Sequence, residues 1–306
     1  MISLKKKVTR FHNKTLQEKL TFIFYFIFFV VMALIFLYPI YSAFLISFTS
    51  NLDLVEFEPQ KFWDFFHFAG KPQVDSWKNV ATDFSVTTDV GDQNLIDMLF
   101  NSIWFTIAKV SLSLIASFVL AYAVAKFNFP GKNFLYLIAV FVQTIPLFGT
   151  GSASYKLFDA LNMVNNPTLF WFAWVTGFDF TFIILHGTLT GISNSYSESA
   201  KIDGANNLTI FVKIIIPMVA PVLLALFISN SLTVWNDYST IMVYLKDYPT
   251  LSYGLYVFQT GESMYIANSR AIQCAATLIS ALPIVLIYSL SQKVILTNIS
   301  VGGLKG

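Results

Sequence analysis

Residues 198–217 read Glu198-Ser-Ala-Lys-Ile-Asp-Gly204-Ala-Asn-Asn-Leu-Thr-Ile-Phe-Val-Lys-Ile214-Ile-Ile-Pro217, a polar stretch between two apolar segments that are each long enough to cross a bilayer. Upstream, Ser195-x-x-Glu198 has the spacing of a capping box, so a short helix is expected to start there. Gly204 permits the backbone to reverse after one or two turns. Glu198 then has two readings. It caps a short helix and does no more, or it forms with Ala200 and Ala205 one face that another protein grips, the small Ala side chains allowing close approach.

The rest of the chain explains why such a loop is set between apolar segments. Of 306 residues, 56% are hydrophobic, 12% are charged and 32 are Phe, an apolar share above that of soluble globular proteins. Six stretches satisfy the length of a membrane helix, at roughly 22–47, 98–125, 134–155, 169–190, 214–237 and 271–292. The expected fold is therefore all-α: a polytopic membrane protein of six transmembrane helices, with a short cytoplasmic helix between the fourth and fifth spans. Its parts are an N-terminal segment 1–20, a membrane domain 21–293 with a large loop 48–97 and a polar loop 191–213, and a tail 294–306.

Orientation comes from where the charges fall. With the N-terminus inside, the inner segments hold Lys5, Lys6, Lys7, Arg10, Lys14, Lys19, Lys126, Lys132, Lys201, Lys213, Lys293 and Lys305, out of 19 basic residues. This is the positive-inside pattern. Loop 48–97 carries nine acids from Asp53 to Asp97 against Lys61, Lys71 and Lys78, so it is placed outside, with both termini cytoplasmic. That loop also holds Phe57, Phe62, Trp63, Phe65, Phe66, Phe68 and Trp77, too aromatic for a disordered linker. The uncharged run from Leu20 to Leu52 exceeds a signal peptide and reads as a retained first span.

Several function classes drop out. The chain has no phosphate loop of the G-x-x-x-x-G-K-[ST] form and no H-E-x-x-H motif or metal-ligand cluster. His12, His67 and His186 fall on different segments, which leaves no basis for a catalytic triad. Cys274 is the single cysteine, so disulfides and cysteine zinc sites are excluded; it reads as a small packing residue. No catalytic residue, cofactor, metal or nucleic-acid partner is expected. Pro39, Pro146, Pro217, Pro221 and Pro283 interrupt apolar spans, as happens both in mobile helices and in static kinked ones.

The order Glu198-x-Ala, Gly204, Ile214, Pro217 resembles the "EAA" loop of permease subunits in ATP-binding-cassette importers. Ser199 stands where Ala is usual and Ser193 where Pro often stands; neither removes a charge or a turn. Further matches narrow the resemblance to the carbohydrate-uptake branch of the maltose-transporter type: Asn101-Ser102, Ala121-Tyr122-Ala123, Trp235-Asn236-Asp237-Tyr238, Thr250-Leu-Ser-Tyr-Gly254-Leu and the tail Gly302-Gly-Leu-Lys-Gly306. The resemblance implies that Glu198, Ser199, Ala200, Asp203, Gly204, Ala205, Ile214 and Pro217 contact an ATPase. It also implies a bacterial cell membrane location, a homologous second permease, two copies of a cytoplasmic ATPase, an extracytoplasmic solute-binding protein and a sugar or oligosaccharide substrate.

Polar residues inside the spans are candidates for the route that substrate takes. Asp179 is expected mid-span, where a carboxylate is costly unless it faces a cavity or a partner, so it either lines the path or ties helices together. Lys109 is a possible counter-charge to it, or snorkels. Gln143, Asn230, Trp235, Asn236 and Tyr238 have the hydrogen-bonding and aromatic chemistry that sugars require, and equally that of helix glue and interfacial belts. The rival to an importer subunit is an ion-coupled secondary carrier. That rival predicts paired intramembrane charges and inverted repeats, and no internal repeat is present.

Overall fold

In hydrocarbon a backbone group must find its partner within the protein, so the apolar runs take helical form. The computed structural model describes residues 15–56, 64, 66–68, 70–145, 151–260 and 270–299. The N-terminal basic residues up to Lys14, Pro146, Gly149 and the Gly302–Gly306 tail lie outside these. Among the described residues, four helices have the length and composition to cross a membrane: Leu16–Ser47, Leu95–Lys126, Asn207–Trp235 and Arg270–Ser289.

The chain divides into two compact units, Met1–Val80 with Asn268–Leu278 and Ala81–Ala267 with Ile279–Gly306. In the first, Thr15 starts α1 (Leu16–Ser47) with a true capping box: its hydroxyl accepts from the Glu18 amide, and the Glu18 carboxylate accepts from the Thr15 amide at 2.9 Å. The most apolar window of α1 buries nothing inside the chain, so its whole circumference is left to other surroundings. Beyond it come α2 (Asn51–Glu56) and the start of α3 (Asp75–Asp83). The described part of the aromatic loop folds back on the end of α1. Phe48 stacks near Trp77 at 5.4 Å and its carbonyl accepts from the Gln73 amide at 2.7 Å, while the Tyr41 hydroxyl donates to the Phe66 carbonyl at 2.8 Å.

The second unit opens with a hairpin that the helical pattern did not announce: β1 (Val86–Thr88) pairs antiparallel with β2 (Gly91–Gln93). Asn94 then caps α4 (Leu95–Lys126), accepting from the amides of Ile96 and Asp97. After it run α5 (Lys132–Thr144), α6 (Gly151–Ala160), α7 (Pro167–Phe170) with a 3₁₀ turn Trp171–Trp174, and α8 (Phe180–Thr190). Next in order are α9 (Ser195–Ile202), α10 (Asn207–Trp235), α11 (Tyr238–Tyr244), α12 (Leu251–Thr260) and α13 (Arg270–Ile299).

Helix α4 is the axis of this unit, packing on α8, α10 and α12. Leu114, Phe118 and Ala121 recur three and four residues apart, so one stripe of α4 meets Phe182 and Leu185 of α8 and Val219 of α10 in a buried cluster. Two to three turns toward its start, Phe105 joins a second cluster with Phe170, Trp174 and Ile241. Two distant sequence matches turn out to be neighbours here. Asn101 donates to the Pro249 carbonyl at 3.0 Å, and the Ser102 hydroxyl accepts from the Leu251 amide at 2.8 Å, so α4 satisfies the first amide of α12 while Thr250 takes that of Tyr253.

Two expected spans depart from single long helices. The third, expected at 134–155, stops at Thr144, because Ile145 precedes a proline and takes extended backbone (φ −84°, ψ 115°). The fourth, expected at 169–190, is broken between the 3₁₀ turn ending at Trp174 and the helix starting at Phe180, because Gly177 turns left-handed (φ +74°) and Asp179 is extended. The fifth begins earlier than expected, at Asn207 instead of 214.

Candidate functional site

The 191–213 loop is built around α9. This eight-residue helix ends in a Schellman turn: the Ala205 amide donates to the Ala200 carbonyl (2.9 Å) and the Gly204 amide to the Lys201 carbonyl (3.0 Å), with Gly204 at φ +82°. Nothing lies within 4 Å of where a Cβ on Gly204 would sit, so the demand for glycine is one of backbone conformation and not of space. Ala200 and Ala205 pack against the core cluster. Glu198, Ser199 and Asp203 point outward, as do Ile202 (87% exposed) and Leu208 (69%).

The Ser195–Glu198 capping box does not form. Ser195 is the first residue of α9, not its cap, and the cap position falls on Asn194, which is helical in backbone (φ −69°, ψ −17°) and makes no side-chain cap bond. The physical reason is competition. The Asn194 carboxamide oxygen accepts from Lys126 Nζ at 3.2 Å, and the Ser195 hydroxyl pairs with that of Ser193 at 2.8 Å.

Downstream, Asn206 accepts from the Thr209 amide and starts α10. Residues Phe211–Ile215 widen into a π turn, in which the Ile216 amide reaches back five residues to the Phe211 carbonyl. Pro217 has no amide to offer to Lys213, so the α pattern cannot close at that point and the extra residue is accommodated there. Ile214 is half-buried within the π turn, and Pro217 is exposed just past it.

A second polar group gathers where the fourth span breaks. Asp179 is not mid-helix: it is the cap of α8, its Oδ1 accepting from the Phe182 amide at 2.9 Å. The hydroxyls of Ser113 and Ser117, one turn apart on α4, donate to the two oxygens of the same carboxylate at 2.9 and 2.8 Å. Gln143 Nε2 donates to the Phe178 carbonyl (3.1 Å), and Asn230 Nδ2 to the Thr181 hydroxyl (3.2 Å). Three of the sequence candidates, Gln143, Asp179 and Asn230, thus converge from α5, the break and α10.

Lys109 does not serve Asp179. Its ammonium meets Asp237 Oδ2 at 2.7 Å and lies 5.3 Å from the centre of the Phe105 ring. Asp237 caps α11 and also takes the hydroxyls of Ser239 (3.0 Å) and Thr240 (2.6 Å). The remaining candidates stay apart from the break. Trp235 is buried and its indole N–H donates to the Ser280 carbonyl at 3.4 Å; Asn236 bonds to the Leu232 carbonyl of its own helix; Tyr238 stacks on Tyr256 at 4.7 Å.

Sequence reasoning missed Ser113, Ser117, Thr181 and Lys126. The two serines carried a signal, being spaced i, i+4 on an otherwise apolar helix, the arrangement that can clasp one acceptor from both sides. No group of three His, Cys, Asp or Glu side chains able to hold a metal occurs among the described residues.

A family model described as "Binding-protein-dependent transport system inner membrane component" matches residues 113–300. The arabinooligosaccharides transport system permease protein AraQ of Halalkalibacterium halodurans is 30% identical over 208 residues, covering 67% of this chain and 73% of its own length. The maltose/maltodextrin transport system permease protein MalG of Vibrio parahaemolyticus is 26% identical, covering 77% and 82%. Among solved structures, a bacterial ABC transporter involved in the import of the acidic polysaccharide alginate has the same fold, with a TM-score of 0.75 over 92% of this chain and 98% of that one, at 23% identity.

Proposed function

Because the chain belongs to the binding-protein-dependent transport system inner membrane components, we propose that it is a permease subunit of an ATP-binding-cassette importer that moves a sugar or oligosaccharide across the bacterial cell membrane. ATP is hydrolysed in a separate subunit. A second permease, two copies of the ATPase and a sugar-delivering binding protein complete the assembly. The ion-coupled carrier has no support: the intramembrane Lys109 is spent on Asp237, and Asp179 on neutral donors.

The observation that supports the mechanism best is α9 itself, a short helix with an outward polar face, joined to α8 on one side and to the π turn of α10 on the other. In this reading Glu198, Ser199, Asp203 and the exposed Ile202 meet the ATPase. Ala200, Gly204 and Ala205 fix the helix to the core, and Ile214 and Pro217 form the joint through which its movement reaches α10. The six crossings are α1, α4, α5 with the start of α6, α8 with the 3₁₀ turn before it, α10 and α13, with both termini and α9 cytoplasmic. The polar break at Gln143, Asp179 and Asn230 lies on the sugar's route, where alternating access exposes it to each side in turn.

The test is topology and then assembly. On a Cys274→Ser background, a cysteine at Ser197 is expected to react with a membrane-impermeant maleimide only after the cells are opened. Co-expressed with its partner permease and ATPase, the chain is expected to purify as a complex whose ATP hydrolysis rises with sugar-loaded binding protein. Labelling of position 197 from outside intact cells would end the coupling reading.

A further inference from the structure

Lys126 is the last residue of α4, and its ammonium donates at 2.6 Å to the carbonyl of Ile192 and at 3.2 Å to the side chain of Asn194. It makes no ion pair among the described residues. The Ile192 carbonyl lies just past the end of α8, where the free carbonyls of a helix C-terminus carry partial negative charge and attract a cation. Asn194 is the residue immediately before α9. One ammonium therefore bridges the end of α4, the end of α8 and the entry to α9.

The exit of the same loop is held from the same helix. Phe211, at the start of the π turn, lies 5.2 Å from the Phe118 ring and 4.7 Å from the Tyr122 ring. Phe118, Tyr122 and Lys126 are spaced four apart, so they form one stripe along the last turns of α4. That stripe grips the loop twice, by ring contact at its exit and by charge-assisted hydrogen bonds at its entry.

We propose that Lys126 is a positioning residue for coupling: it fixes the entry of α9 to α4, so that α4 moves with the loop and α9 does not turn on α8 and α10 alone. The proposal rests on the coupling reading of α9. The rings at the exit tolerate sliding, since dispersion contacts have little directional demand. The hydrogen bonds at the entry set orientation, because an ammonium between a fixed carbonyl and a carboxamide has few geometries that keep both. Removal of the bonds frees Asn194 and loosens the entry while the exit stays packed.

The experiment compares Lys126→Met, Lys126→Gln and Lys126→Arg in the full complex reconstituted with its ATPase and binding protein. Radiolabelled arabinotriose and maltotriose serve as probes, and the readout is sugar moved per ATP hydrolysed. With assembly retained, Lys126→Met is expected to lower that ratio by about fivefold or more, and Lys126→Arg to restore it to within about twofold. A parental ratio in Lys126→Met overturns the proposal. So does failure of both the Met and Gln variants to assemble, which would place Lys126 in folding and not in coupling. Gly204→Val, measured alongside, separates the two ideas. If it transports at the parental ratio, the coupling reading of α9 has failed; if it uncouples while Lys126→Met does not, only the role of Lys126 has.

Discussion

The two ends of α10 treat an acidic neighbour in opposite ways. Past its C-terminus, Asp237 is surrounded: an ammonium, two hydroxyls and a backbone amide satisfy both oxygens from within the chain. Ahead of its N-terminus, Glu198 is exposed on α9, and its carboxylate takes no partner among the described residues. A membrane protein that must satisfy its own polar groups does so at the first end and leaves the second for something else. Self-sufficiency marks architecture here, and its lack at α9 fits the proposed contact with the ATPase.

The comparison breaks most visibly at the closed end. Lys109 and Asp237 have side chains only 24% and 19% exposed, so Asp237→Ala leaves an ammonium without its partner and is expected to destabilise the protein by about 3–5 kcal/mol. Thermal unfolding in detergent, read by fluorescence-detected size exclusion, checks this. The double variant Lys109→Met with Asp237→Ala is expected to recover most of the loss, since no charge is then stranded. Equal losses in the single and double variants would show that the ion pair is not what holds this end.

At the open end the largest effect is expected in function. Gly204→Val forces a β-branched residue to a left-handed backbone at a strain of about 1–2 kcal/mol, which misdirects α9 while leaving the core clusters whole. ATPase co-purification persists and transport falls by about tenfold. Glu198→Ala is expected to weaken ATPase co-purification with unfolding changed by less than about 0.5 kcal/mol. Ser195→Ala should do neither, because no cap bond exists to lose.

The smallest effect serves as a control. Lys246 and Asp89 repeat the ion-pair chemistry of Lys109 and Asp237 at 3.0 Å, but on the surface. The hydrogen bond to the Asp89 carboxylate, with that carboxylate's charge, holds the Lys246 ammonium above its ordinary value of 10.5. A raised value means that any stabilisation is complete below 10.5 and is lost as pH climbs through the folded value. Lys246→Gln should therefore leave the unfolding temperature unchanged between about pH 7 and about pH 9, with solvent and salt screening the pair.

Much of this was legible in the sequence because its causes are local. Apolar length named the four long helices, and Gly204 named the end of α9. What escaped depended on partners distant in sequence. Ser195 had the spacing of a cap, but Lys126 drew off the carboxamide beside it and the backbone entered α9 already helical. Lys109 meets Asp237 and not Asp179 because the two acids face successive turns of α4, at Lys109 and then at Ser113, and depth in the membrane alone does not assign a partner to each turn. The hairpin at Val86–Gln93 has strands of three residues each, too short for an alternating pattern to be read.

The π turn at Phe211–Ile215 has one more consequence. A π turn is one residue of surplus in an α-helix, and one residue is worth about 100° of rotation and about 1.5 Å of rise. The stripe of α10 beyond Pro217 is thus out of phase with the residues before Phe211 by roughly that angle. Because the widened turn has already absorbed the surplus, deletion of Val212 is expected to remove the bulge while the flanking turns, and α9 with them, keep their direction.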